Sequence, residues 1–159
     1  MKILVIQNRM GIGDTVIFLP FIEAISKKYN IPVNLMVREN SKADQYLYET
    51  NYIDKILILD RNNKSNGKHD GFLGAINLAN DLKKNKFDKV FIFNSSLRFK
   101  LISKLAGIKD VYQYPLLKKE NQHIIDTAKN FIKDSIGVID FNDPRIIINE
   151  NKINDGANN

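Results

Sequence analysis

Seven consecutive residues, Asn8-Arg9-Met10-Gly11-Ile12-Gly13-Asp14, hold the densest set of groups in this chain that could do chemistry. Gly11 and Gly13 permit backbone angles and close approaches that other residues resist. Asp14 closes the loop with a carboxylate, and two roles are open to it. It can cap the helix that follows, worth about 1 kcal/mol. It can also stand at the rim of a site as a general base that takes a proton from a reacting hydroxyl. A third reading gives the loop to phosphate. The dinucleotide fingerprint Gly-x-Gly-x-x-Gly lays a pyrophosphate on a helix N-terminus. Here the third glycine position is Val16, and the Asp14 carboxylate would repel the phosphate. A Walker loop requires Gly-Lys-Ser/Thr, which does not follow. Independent nucleotide binding through Gly11 and Gly13 stays as an alternative.

The elements that must position this loop can be read along the chain. Lys2–Gln7 is a short, almost unbroken apolar run, suited to a strand covered on both faces of a parallel sheet. Ligands of open α/β sheets bind at the carboxyl ends of strands, beside such loops. Thr15–Tyr29 reads as a helix with Val16, Leu19, Ile22 and Ile25 or Ser26 on one stripe, opened or kinked by Pro20. Pro32–Arg38 is a second strand, Ser41–Thr50 a short helix capped by Ser41, and Lys55–Leu59 a third strand. A polar loop, Asn62–Gly71, leads to a helix over Phe72–Lys84 with Leu73, Ile76, Leu78 or Ala79, and Leu82 on its apolar face. Phe87–Phe93 is a fourth strand, followed by Asn94-Ser95-Ser96 and a helix over Leu97–Ala106. Asp110–Gln113 is a fifth strand and Gln122–Ile136 a last helix. Arg145–Asn149 could add one more strand. The alternation predicts a Rossmann-like, doubly wound parallel sheet of about five to six strands flanked by helices. Residues 1–138 form the expected domain, and residues 139–159 a linker-like polar tail.

Composition narrows the function classes. The chain has 159 residues, 43% of them hydrophobic and 26% charged, as expected of one ordinary globular domain. Cysteine is absent, so no disulfide or thiolate site is available and a cytoplasmic location is the simple expectation. His69 and His123 stand far apart without a partner motif, and no metal site is expected. The net charge of +6 comes mostly from scattered lysines. Nucleic-acid binding would call for clustered basic residues with aromatics between them. Only Lys83-Lys84-Asn85-Lys86 and Lys118-Lys119 approach that, so no nucleic-acid partner is expected. No run nears the ~20 apolar residues that cross a bilayer, which leaves at most a peripheral membrane contact.

The opening Met-Lys-Ile-Leu-Val-Ile, the loop Gly11-Ile12-Gly13-Asp14-Thr15-Val16 and the pair Leu19-Pro20 resemble the start of glycosyltransferase family 9, the heptosyltransferases of lipopolysaccharide core synthesis. The likeness continues through Asn51-Tyr52-Ile53-Asp54-Lys55-Ile56, Phe87-Asp88-Lys89-Val90, Ser95-Ser96-Leu97-Arg98 and Leu105-Ala106-Gly107, and extends to His123. The resemblance implies the amino-terminal, acceptor-side half of a two-domain GT-B fold. It further implies a metal-independent, inverting transfer of a sugar from a nucleotide sugar to a glycan or lipopolysaccharide-type acceptor. The family's catalytic aspartate falls on Asp14, as the base that deprotonates the acceptor hydroxyl.

Asn8, Gly11, Gly13, Ser95, Ser96 and Arg98 are candidate substrate-binding residues. Asn8 and the two serines fall on the sheet edge where they could meet sugar hydroxyls, although a turn residue and helix caps would look the same. Arg9, Arg38, Arg61 and Arg98 could meet an anionic acceptor or be solvated surface groups. His123 reads as a helix-start residue without chemistry. No cofactor is expected beyond the nucleotide-sugar co-substrate, whose binding residues belong to the second domain. By itself the 159-residue chain is expected to be inactive. It would need a separate donor-binding domain or self-association, or else persist as a non-catalytic binding module of the same fold.

Overall fold

A computed structural model describes residues 1–9, 12–47, 49–61, 66–115 and 123–142. At its centre is a parallel sheet of five strands: β1 (Ile3–Ile6), β2 (Val33–Arg38), β3 (Ile53–Leu59), β4 (Lys89–Ile92) and β5 (Asp110–Gln113). Their order is β3-β2-β1-β4-β5, and every neighbouring pair is parallel. Ile3, Leu4, Val5 and Ile6 of β1 are all fully buried, which is why that strand is apolar throughout instead of alternating. Ile3 and Val5 point into one core, shared with α1 (Ile12–Tyr29) and α5 (Ile124–Ile136). Leu4 and Ile6 point into the other, shared with α3 (Gly71–Asn85) and α4 (Leu97–Leu105). The expected doubly wound α/β architecture is the observed one. Arg145–Asn149 and the polar tail from residue 143 onward lie outside the described residues. Phe141 and Asn142, past the expected boundary at 138, still touch α1: Phe141 stacks edge-on against Phe21, and Asn142 Nδ2 donates to Glu23 Oε1 at 3.0 Å.

Several local expectations change. The helix α1 begins at Ile12, so Asp14 is its third residue and lies in the first turn instead of capping it. Gly13 adopts helical geometry within the same turn. Pro20 does not open the helix, which runs through it from Ile12 to Tyr29. A proline inside a helix costs about 3 kcal/mol. Phe18, Leu19, Phe21, Ile22 and Ile25 around it are all nearly or fully buried, and each large apolar side chain so placed contributes about 1.5–3 kcal/mol. Packing therefore outweighs the break.

The expected helix over Ser41–Thr50 is a 3-10 turn, Glu39–Ser41, then a short helix α2 over Ala43–Tyr46. Lys42 between them sits in the left-handed region at φ 57°, which interrupts any continuous helix. The Ser41 hydroxyl still accepts a hydrogen bond from Ala43 N–H at 3.3 Å. In α3 the buried face is Gly74, Leu78, Ala79 and Leu82, while Leu73 and Ile76 point to solvent.

Candidate functional site

The strand order reverses between β1 and β4. The loop after β1 turns into α1 on one face of the sheet, and the loop after β4 turns into α4 on the other. Between two such diverging loops a crevice opens at the carboxyl edge, the usual ligand position of open α/β sheets. A cavity of ≈ 200 Å³ lies at this edge, lined by Asn8, Arg9, Phe18, Phe93, Asn94, Tyr114, Ile124 and Thr127. Phe18, Phe93 and Tyr114 belong to a chain of edge-on aromatic contacts that also includes Phe131. The floor is thus rigid and apolar, while amides, a guanidinium and a hydroxyl stand around it.

Both loops are braced by side chains. Gln7, fully buried at the end of β1, donates from Nε2 to Thr15 Oγ1 at 3.1 Å, and its Oε1 accepts the Arg9 N–H. One amide side chain therefore ties the strand end, the loop and the first turn of α1 together. Across the reversal, Asn94 Nδ2 donates to Asn8 Oδ1 at 3.1 Å, and Asn94 Oδ1 accepts the Ser96 N–H at 2.9 Å. Gln113 Nε2, on β5, donates to Ser96 carbonyl at 2.6 Å. Its Oε1 is buried with no hydrogen-bond partner among the described residues.

Asp14 does not line the cavity. It stands beside it, with Oδ1 3.7 Å from Arg9 Nε, both side chains partly exposed. The first turn of a helix is a favourable place for a carboxylate, because the helix dipole is positive there. Gly13 is exposed, and among the described residues nothing lies within 4 Å of where its Cβ would be, so the space above the turn is open. Gly11 lies outside the described residues. Ser96 precedes α4, yet its side chain makes no capping bond; its own backbone N–H donates to the side-chain oxygen Oδ1 of Asn94. His123 is the cap of α5, its Nδ1 accepting from Ile125 N–H at 3.3 Å.

The arginines separate. Arg9 lines the cavity. Arg98 is committed elsewhere: its Nη2 donates to the carbonyls of His69 at 2.7 Å and Gly71 at 2.9 Å. Burial lowers its pKa from the ordinary value, as does the charge of Arg61, against a partial offset from Asp70. Arg61 pairs with Asp70, Nε to Oδ1 at 3.2 Å. The Arg38 Nε is buried with no partner among the described residues. The structure thus brings Asn8, Arg9 and Asp14 together with the Asn94–Ser96 loop, and turns Arg98 toward the start of α3.

That neighbouring turn is organised by His69, which is buried. Its Nδ1 accepts the Asp60 N–H at 2.9 Å, its own N–H donates to Asp60 carbonyl at 2.9 Å, and its Nε2 meets Asp81 Oδ2 at 2.9 Å. With Nδ1 occupied as an acceptor, Nε2 is the protonated nitrogen and donates to Asp81. Burial alone would raise the Asp81 pKa, but the hydrogen bonds from His69 and Lys68 and the charge of Lys68 outweigh it and hold the carboxyl below its ordinary value.

Gln7, Asn94, Tyr114 and Thr127 were not among the residues singled out from sequence. Asn94 carried the only signal, as a turn-forming residue straight after a strand. No group of three or more His, Asp or Glu able to hold a metal occurs among the described residues. No described helix is long and apolar enough to cross a membrane.

No family model and no curated protein matches the chain. Solved structures do. Over 99% of its length the chain superposes on a glycosyl transferase family 9 protein from Veillonella parvula, with a TM-score of 0.72 and 18% identity. An Escherichia coli ADP-heptose lipopolysaccharide heptosyltransferase II follows with a TM-score of 0.66 and 16% identity, again over 99% of this chain. An E. coli heptosyltransferase solved with ADP gives a TM-score of 0.60 at 13% identity over 91%. The chain spans about half the length of each, 48%, 50% and 49%.

Proposed function

We propose that the chain, whose fold is that of one half of a family 9, heptosyltransferase-like glycosyltransferase, is the amino-terminal, acceptor-side half of such an enzyme. The observation that carries the reading is the Ile12-Gly13-Asp14 turn that opens α1 at the strand reversal, with its aspartate beside Arg9 and, among the described residues, open space over Gly13. That turn stands in a fold shared over 99% of the chain with a family 9 protein. In this reading the Asp14 carboxylate accepts the proton of the acceptor hydroxyl as that oxygen attacks the anomeric carbon. The bond from the anomeric carbon to the nucleoside diphosphate breaks, the diphosphate leaves with the electron pair, and the anomeric configuration inverts. Arg9 meets negative charge on the acceptor. Asn8, Gly13, Ser95 and Ser96 shape and hydrogen-bond the acceptor side, and the nucleotide sugar (an ADP-heptose type to be tried first) is held by a second, donor-binding domain.

The test is thermal unfolding of the chain against nucleotides, nucleotide sugars and acidic glycan fragments, followed by transfer assays with a donor-binding half supplied. A ligand at ~100 times its dissociation constant stabilises the native state by about 2.7 kcal/mol. The expected result is a shift with glycans and none with nucleotides. The Asp14→Asn variant should keep the glycan shift and lose transfer by about 10²–10⁴-fold. A shift with nucleotides alone, or undiminished transfer by Asp14→Asn, overturns the assignment.

A further inference from the structure

The outward sides of α3 and α4 carry an apolar surface that the core does not need. Phe72, Leu73, Leu97, Leu101 and Leu105 are each more than half exposed, Phe72 at 81%, and Ile76 joins them. Leu97, Leu101 and Leu105 recur every four residues and form one stripe, as do Phe72 and Ile76. The two stripes adjoin. Both helices turn their inner faces to the same core, and Arg98 at the start of α4 reaches the Gly71 carbonyl at the start of α3. Helical spacing sets Leu101 and Leu105 on the Arg98 side of α4, the side toward α3. A contiguous patch of this kind on a globular domain marks an interaction surface.

The charges around it identify the partner. Lys83 and Lys84 in the last turn of α3 and Lys100 and Lys104 on α4 add positive charge to the exposed and half-exposed sides of the same two helices. Asp81, the single acidic residue of the two helices, is taken up by Lys68 and His69. A second copy of the chain docked by the same face would set these lysines against each other. An anionic lipid surface answers both features: apolar side chains enter the acyl boundary while lysines meet the headgroups. Two adjacent helices starting at the same sheet edge can lie together in that plane. We infer that the α3–α4 face is a peripheral docking surface for an anionic lipid bilayer. The inference stands on exposure and charge, independently of the proposed reaction.

Co-sedimentation of the purified chain with vesicles of phosphatidylcholine alone, and of phosphatidylcholine mixed with phosphatidylglycerol, tests it. The expected result is binding to the mixed vesicles only. The double variant Leu101→Glu and Leu105→Glu, at exposed positions where the melting temperature is expected to hold and is measured alongside, should abolish it. Lys100→Glu with Lys104→Glu should weaken binding at least tenfold, since each basic residue near the surface is worth about fivefold. Lys129→Glu with Lys133→Glu, the same charge change on the opposite helix layer, should leave it intact. Absence of binding to either vesicle overturns the inference. So does equal weakening by both charge pairs, or a chain that self-associates without lipid and is made monomeric by the leucine variants.

Discussion

Substituting Gly74 by alanine should unfold the molecule more easily, although alanine is the better helix former. A Cβ at position 74 would lie 2.2 Å from the carbonyl carbon of His69, 2.7 Å from its oxygen and 2.9 Å from its Cα. All three are backbone atoms, so no rotamer change relieves the clash, and ordinary contact begins at 3.4 Å. His69 cannot simply retreat. Its backbone and ring are held by Asp60, Asp81 and Arg98 through hydrogen bonds of 2.7–2.9 Å. Overpacking costs about 1–3 kcal/mol, and giving up one or two of those bonds adds about 1 kcal/mol each. The glycine-to-alanine gain in a helix returns about 1 kcal/mol. The net is a loss of about 2 kcal/mol, or a fall of about 4–8 °C in melting temperature for a chain of this size. Thermal unfolding followed by circular dichroism measures it, with Gly13→Ala as the matched control. Among the described residues nothing lies within 4 Å of a Cβ at Gly13, so that variant should melt at or slightly above the parent. If Gly74→Ala melts no lower than Gly13→Ala, the close packing of α3 on the His69 turn is wrong.

Replacing His69 by phenylalanine keeps the volume but removes the acceptor for Asp60 N–H and the donor to Asp81. The expected loss is about 1–3 kcal/mol for the unsatisfied buried group, read as a lower melting temperature and faster hydrogen exchange at the Asp60 amide. Asp81 also predicts a pH dependence. Its folded pKa is lowered, so its contribution to stability is present above the unfolded value of about 3.9 and is lost as pH falls through the folded value. Melting temperature measured on descending pH should therefore drop in the acid range for the parent, and that drop should be shallower in Asp81→Asn.

The fold was legible because β1, β2 and β4 are short aliphatic runs with no competing helical period, and because each is followed by a polar turn. Helix faces were legible only where one stripe was apolar. In α3 both stripes are, and nothing in the spacing says that Gly74, not Leu73, meets the core, since that choice follows from the His69 turn lying against the helix. Pro20 does not set where α1 begins, because the residues around it are buried and packing carries the helix through the lost hydrogen bond. At the candidate site, Asn8, Arg9 and Asp14 were visible because they fall in one short stretch after one strand. Asn94, Tyr114 and Thr127 reach the same cavity from three other segments, and periodicity carries no information about which segments meet. Arg98 sat in a suggestive position by sequence, but its direction along the α4 surface is what sends it to the His69 and Gly71 carbonyls.

The hydrogen bond between Asn8 and Asn94 joins residues 86 positions apart. β1 emerges first during synthesis, yet its partner across the crevice is β4, and the strands made in between build outward on the other side of β1. The nascent chain can therefore add β2 and β3 to β1 while the edge of β1 that will form the cavity stays unpaired and apolar. Closing that edge waits for the crossover through α3 to deliver β4, a contact of high sequence separation whose loop-closure cost is met before any of its packing is gained. The topology therefore predicts that the cavity closes late, once β4 has paired with β1. Until then the open flank of β1 is the stretch a ribosome-bound chain most needs shielded from neighbours.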